Sequence, residues 1–223
     1  MPSLAQILDQ YFDVAFAAPD GMKKLRELIL SPAMQGKLVP QDPSDRSARE
    51  LLKKIEAEKS RLVKDGKIKP SKPLPEIKPN EVPYDMPKSW EWVRLGDLAT
   101  FINGDRGKNY PSKDLYVFEG IPFINAGHLV NGLVDWDEMN YISKERFGIL
   151  GSGKVKNNDI LYCLRGSLGK TAVVKDLDRG AIASSLVIIR LYQLNLVQFT
   201  YHYLTSPFGK EIILLMLRRR KKE

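Results

Sequence analysis

The sequence predicts an α+β fold: an N-terminal helical segment, then a mixed α/β domain with a strand-rich core and C-terminal helices. Three observations carry this. Apolar residues recur at helical spacing as far as Leu62, 13 of the 16 glycines lie between Gly96 and Gly209, and six of the 14 prolines lie between Pro70 and Pro87. Helical periodicity, a proline-rich connector and a turn-rich compact stretch therefore follow one another along the chain. The expected units are a helical segment over 1–69, a connector over 70–87, a compact domain over 88–217 and a basic tail over 218–223.

Leu4, Ile7, Leu8, Tyr11, Phe12 and Ala15 repeat at i, i+3, i+4 and predict a first helix. Asp20-Gly21 interrupts it; Met22, Leu25, Leu28 and Ile29 resume the period until Pro32 and Gly36 break it. Ser47-Ala48-Arg49-Glu50 has capping-box spacing and predicts a third helix with the stripe Ala48, Leu51, Leu52, Ile55 and Leu62. That stripe is narrow and coiled-coil-like, so the helices read as a surface awaiting another helix in preference to a small self-contained bundle. The connector, 70–87, has no apolar periodicity and reads as extended. In the compact stretch, strands are expected over Trp90–Leu95, Ile121–Asn125, Ile160–Leu164, Thr171–Lys175 and Ala181–Leu191. Helices are expected over Asn195–Thr205 and Phe208–Leu217, with Pro207 at a first helical position. The order does not alternate strand with helix, which favours a mixed sheet over a doubly wound one.

The chain has 223 residues, long enough to bury a real core. Its single cysteine, Cys163, excludes an internal disulfide framework and a Cys-rich zinc site. No apolar run reaches membrane-helix length, and the N-terminus lacks the charged stretch of a signal peptide; a cytoplasmic protein is expected. The net charge of +8 is unevenly held: 1–88 carry 16 basic and 13 acidic residues, 89–217 carry 14 and 13, and 218–223 carry five and one. Bulk charge is therefore a poor argument for nucleic acid. The stretch Lys144–Lys175, with seven basic and two acidic residues, is a better one.

Arg165-Gly166-Ser167-Leu168-Gly169-Lys170-Thr171 ends like a phosphate-binding P-loop. Leu164, however, stands where the first glycine belongs, and a strand-like Ala-Val-Val follows where a helix must begin. A loop between two strands is the better description, with free backbone N–H groups, Arg165 and Lys170 suited to a nucleic-acid phosphate. His128 and His202 have no metal-ligand spacing. His202 reads as a packing residue and Cys163 as an inert buried thiol. Asp135, Asp137 and Glu138 read as a solvated turn after Asn131-Gly132. No catalytic constellation, metal set or dinucleotide fingerprint appears. Polar readers do. The loop Asn103-Gly104-Asp105-Arg106-Gly107-Lys108-Asn109-Tyr110 and the turn Asn125-Ala126-Gly127-His128 present amide, guanidinium and ammonium groups. Asn and Arg are the side chains that pair bidentately with adenine and guanine edges. By residue type and loop position, Asn103, Arg106, Lys108, Asn109, Tyr110, Asn125 and His128 are expected near nucleic acid, with Arg165, Ser167 and Lys170 nearer its backbone.

Residues 22–30, 35–43 and 50–59, then Met86-Pro87-Lys88-Ser89-Trp90-Glu91-Trp92-Val93-Arg94-Leu95-Gly96-Asp97-Leu98, occur in a recognisable order. Gly120-Ile121-Pro122-Phe123-Ile124, Asn158-Asp159-Ile160-Leu161, the Gly-Ser-Leu-Gly-Lys loop and Tyr203-Leu204-Thr205-Ser206-Pro207-Phe208 follow. Together they resemble the N-terminal half of a specificity subunit of a type I restriction-modification system, with one target recognition domain. The resemblance implies a non-catalytic reader of one half of a bipartite double-stranded DNA target, directing methylation or cleavage by partner subunits. It implies no cofactor on this chain; the methyl donor and ATP belong to the modification and restriction subunits. It makes Leu4, Ile7, Leu8, Tyr11, Leu51, Leu52, Ile55 and Leu62 the candidates for docking a modification subunit or a second copy. Where the family has a proline-rich exit into a long spacer helix, this chain has Arg-Arg-Arg-Lys-Lys-Glu. A truncated or frameshifted product, or a half-subunit able to pair with a second copy, is expected. The alternative is an assembly protein that occupies modification subunits without productive DNA recognition.

Overall fold

The computed structural model describes residues 4–219, without the side chains of Leu4, Ala5, Ile7, Leu8, Ala15 and 214–219. Three helices come first: α1 (Leu4–Ala17), α2 (Gly21–Met34) and α3 (Ala48–Lys64). Ser47 caps α3, its Oγ accepting from Arg49 N–H at 3.3 Å; the reciprocal Glu50 half of the expected capping box is not formed. Pro32 does not end α2, which runs on to Met34, although the missing N–H takes one bond from the ladder of the last turn. The short α4 (Leu95–Leu98) leads into the sheets.

Strands β1 (Ala99–Asn103), β4 (Leu129–Val130), β5 (Leu133–Val134), β8 (Ile160–Cys163), β9 (Thr171–Val173) and β11 (Leu186–Leu191) form one sheet in the order β1-β11-β8-β9-β5-β4. Strands β2 (Tyr116–Val117), β3 (Ile121–Ile124), β6 (Tyr141–Ile142), β7 (Lys154–Val155) and β10 (Gly180–Ile182) form a second, ordered β2-β6-β3-β10-β7. Both sheets are mixed, as β3 lies parallel to β10 and β5 parallel to β9. Helices α5 (Lys144–Ile149), α6 (Val197–Thr205) and α7 (Pro207–Arg219) are the remaining α-helices among the described residues.

The two sheets face each other across the main core. Leu161, Cys163, Leu186 and Ile188 of the first meet Ile124, Val155 and Ile182 of the second. The opposite face of the first sheet, with Ile160, Tyr162, Val187 and Ile189, is covered by Val197 and Leu204 of α6. The outer face of the second sheet, with Ile121, Phe123 and Ile142, is covered by Phe147 of α5 and by Tyr110. Strands buried on both faces explain why β8 is an unbroken apolar run and why β11 opens with four apolar residues in succession, Leu186 to Ile189, before Arg190. Each fully buried Ile or Leu is worth roughly 1.5–3 kcal/mol, so stability is concentrated between the sheets and beneath α6.

Two predicted strands differ from the structure. Trp90–Leu95 alternates like a strand but pairs with none. Trp92 packs on Tyr84 at 4.9 Å and Trp90 on Phe199 at 6.2 Å, so aromatic docking takes the place of a ladder. The run Ala181–Leu191 is two strands, because Leu186 N–H closes a turn on Ala183 O at 3.0 Å and carries the chain from one sheet to the other.

The N-terminal helices lie against this body. Helix α2 contacts α6 and α7, and α3 contacts α4. Ala48 N–H donates to Ser89 O at 2.9 Å, Arg49 pairs with Glu91, and Lys59 approaches Asp97 at 3.7 Å. The stripe of α3 is thus occupied by its own chain: Ile55 is 2% exposed, and Leu51, Leu52 and Leu62 are half-buried. Among the docking candidates, Tyr11 stays 53% exposed. The side chains of Leu4, Ile7 and Leu8 lie outside the described residues, as does the tail beyond Arg219.

Candidate nucleic-acid interface

Strand register brings the predicted reader loops to one end of the sandwich. Asn103, closing β1, is level with Val187; Cys163, closing β8, is level with Leu186; Thr171, opening β9, is level with Tyr162. In the second sheet Ala183 N–H donates to Ile124 O at 2.8 Å, so the ends of β3 and β10 reach the same rim. Four connections therefore meet there: 103–110, 125–128, 164–170 and 183–185.

Direct contacts tie them together. Lys170 Nζ donates to Ala126 O at 3.3 Å, and Arg165 Nη2 to Ser184 O at 3.0 Å. A Cβ on Gly104 would lie 2.6 Å from Ala183 O, so only glycine lets 103–105 sit against the 183–185 turn. Ser152 Oγ donates to Asn103 O at 2.7 Å, and Asn109 Nδ2 to Ile149 O at 2.9 Å. Asp105 organises the first loop by accepting from Gly107 N–H at 2.7 Å and Gly151 N–H at 2.8 Å. Those backbone donors, Gly107 first, hold its carboxyl below the usual Asp value. The Asp-x-Gly spacing is a legible Asx-turn signal; the reach to Gly151 is tertiary and has no sequence signal.

The rim is cationic in an otherwise near-neutral body. Arg106, Lys108, Arg165 and Lys170 are exposed, and the single carboxylate among them, Asp105, is engaged by backbone donors. Asn103 and Ser167 are exposed as well, and Asn125 is half-buried, its Oδ1 accepting from Gly127 N–H at 2.7 Å. The loop 164–170 joins two antiparallel strands, β8 and β9, and opens no helix. Among the described residues no group of His, Cys, Asp and Glu could hold a metal, and no helix is long and apolar enough to cross a membrane.

Three of the expected readers have other work. His128 is 8% exposed, and its Nδ1 accepts from Asn125 N–H at 3.1 Å, so the imidazole braces the turn from inside. Tyr110 packs edge-on against Phe123 at 5.7 Å and closes the outer core. Asn109 spends its amide on Ile149 O. His202 is exposed on α6, touching the Tyr201 ring edge-on at 5.3 Å, and is not a core residue. The basic stretch 144–175 is also divided. Arg165 and Lys170 lie at the rim, whereas Lys156 and Lys175 flank Asp159 and Val174 at the far end of β8 and β9.

Comparison with known proteins bears on this arrangement. A family model described as Type I restriction modification DNA specificity domain matches residues 87–213, more than half of the chain and all four rim loops. The chain belongs to the type I restriction-modification specificity family. The EcoAI specificity subunit of Escherichia coli is 36% identical over 157 residues, covering 70% of this chain and 26% of that protein. The EcoEI specificity subunit of the same organism is 60% identical over 80 residues, covering 36% of this chain and 14% of the relative. The HsdS subunit from Thermoanaerobacter tengcongensis aligns with a TM-score of 0.43 at 20% identity, over 86% of this chain and 42% of that one. This specificity-family chain therefore spans about a quarter or less of the length of these two curated relatives.

Proposed function

We propose that the chain is a non-catalytic DNA reader whose rim of four loops contacts one half of a bipartite double-stranded target. Partner modification and restriction subunits supply the methyl donor, ATP and the chemistry. The observation that carries this reading is the convergence of exposed Arg106, Lys108, Arg165 and Lys170 with exposed Asn103 on one rim, held by cross-loop hydrogen bonds. Cations suit phosphates, and arginine and amide side chains also suit base edges, so positioning and sequence reading are supplied by one surface. The exposed aromatic side of α1, with Tyr11, Phe12 and Phe16, is the best remaining candidate for docking a modification subunit.

The test is binding of random duplexes by the chain with a modification subunit, followed by footprinting of the selected sites. Arg106→Ala is expected to weaken binding by about 1–3 kcal/mol and relax preference at one position. Lys170→Ala is expected to weaken all sequences alike and reduce the salt slope by about 1. If both variants bind like the parent at low salt, the rim is not the DNA surface. A complex with the modification subunit that shifts no duplex favours the assembly reading instead.

A further inference from the structure

Leu168 is 39% exposed, the one exposed large apolar side chain among the described residues of 103–110, 125–128, 164–170 and 183–185. A lone exposed leucine is ordinary on a protein surface; its mounting here is not. Gly166 and Gly169 bracket Ser167 and Leu168 with φ of +78° and +86°, left-handed backbone that turns the chain on either side of the pair. Leu168 N–H donates to Gly166 O at 2.8 Å, Lys170 N–H to Ser167 O at 3.1 Å and Gly169 N–H to Cys163 O at 3.1 Å. The buried Cys163 thiol donates to Arg165 O at 3.0 Å. Arg165 and Lys170 are themselves anchored on Ser184 O and Ala126 O. A two-residue tip thus stands on a base fixed from several directions, with a cation at each shoulder.

Arg165 and Lys170 suit phosphates, and each keeps donors beyond the one it spends on a carbonyl. An isobutyl group offers a phosphate nothing. Against nucleic acid its favourable surroundings are the thymine methyl in the major groove and the faces of bases, reached by entering a stack; a narrow, rigidly mounted tip favours the second. A two-residue tip is narrow enough for a minor groove about 6 Å wide, where a helix is excluded. We propose that Leu168 is an apolar wedge that enters the minor groove and partly unstacks one base step, with Arg165 and Lys170 on the flanking phosphates. This rests on the DNA reading above and adds a mode of recognition to it. A wedge must not yield when it meets a stack, which is what the hydrogen-bonded base of the loop provides. The steps that open most readily are pyrimidine–purine, so Leu168 adds a preference for such a step without a hydrogen bond to any base.

The experiment uses a duplex selected from a random pool by the chain with its modification subunits, with 2-aminopurine placed in turn at each position of the site. Bound parent protein is expected to raise 2-aminopurine fluorescence at one step. Leu168→Ala, at saturating protein, loses the rise, and Leu168→Met regains part of it. Lys108→Ala, on the neighbouring loop and not among the anchors of 164–170, binds more weakly, yet at saturation gives the parental rise, which separates wedging from attachment. Bound parent with no rise anywhere, or a parental rise from Leu168→Ala, overturns the wedge and leaves the DNA reading standing. Failure of the parent complex to bind any duplex removes the DNA reading and the wedge with it.

Discussion

At the scale of single residues, His128 controls how Asn125 is presented. Its Nδ1 accepts from Asn125 N–H, which only a neutral imidazole can do. Burial holds its pKa below the ordinary histidine value, while the Glu138 backbone and Asp135 pull weakly the other way. The folded state therefore resists a proton that the unfolded chain takes up near pH 6.5. The contribution is complete above that pH and is lost as pH falls through the lower folded value. Thermal midpoints are expected to fall between about pH 7.5 and pH 5.5. His128→Asn should melt lower at neutral pH and show a flatter profile over the same range. Equal slopes for parent and variant would show that this imidazole is not the group responsible. The sequence places Asn125 and His128 in one polar turn, but whether the ring faces solvent depends on how β3 meets β10. That is tertiary register, which spacing three residues apart does not encode.

At the scale of elements, legibility follows length and burial. Strands β3, β8 and β9 are read correctly because four or so consecutive apolar residues, bounded by turn residues, have few other uses. Strands β2, β4, β5, β6 and β7 have two residues each, too short for any period, and exist only because a neighbour pairs with them. The helix boundary at Asp20-Gly21 and the Ser47 cap were equally legible, being local chemistry. The connector is where local reading stops short. Its composition reads as extended, yet Arg94 gathers it: Nη1 and Nη2 fork onto Glu81 at 3.0 and 2.8 Å, Nε reaches Pro75 O and Nη2 reaches Glu76 O. The Arg94 fork, helped by Lys78 N–H, lowers the Glu81 pKa to about 2. That clasp is fully formed above the ordinary carboxylate value and is lost as pH falls through about 2. Arg94→Lys keeps the charge and loses the fork. It is expected to speed amide hydrogen exchange over residues 76–81 while β8 and β11 stay protected. Unchanged exchange in that segment would show that the clasp does not hold the connector.

At the scale of the whole molecule, the two sheets must keep their relative placement for loops from both to share one rim. Apolar packing between them is non-directional; beyond the hydrogen bonds of the rim, a directional link at the far end is an ion pair. Asp159 is 1% exposed and accepts from Arg190 Nε at 2.8 Å and Nη2 at 2.7 Å, and from Lys156 N–H at 2.7 Å. Arg190 belongs to β11 of the first sheet, and its Nη2 also donates to Lys154 O of β7 in the second, at 3.0 Å. One guanidinium thus spans both sheets through a buried carboxylate. Removing one partner of a buried pair strands the other and costs about 3–5 kcal/mol. Because the Arg190 side chain is 29% exposed and can recover some water, the lower end, about 3 kcal/mol, is expected for Asp159→Ala. Replacing both, Asp159→Ala with Arg190→Leu, should cost less than the sum of the two single changes, since neither leaves a charge behind. Urea unfolding of the four proteins measures the coupling. The prediction fails if Asp159→Ala loses under about 1 kcal/mol, or if the two losses simply add. A variant that stays folded but lets the sheets shift should lose DNA preference before it loses helix content. The rim is assembled from the ends of β1, β8 and β11 on one sheet and of β3 and β10 on the other.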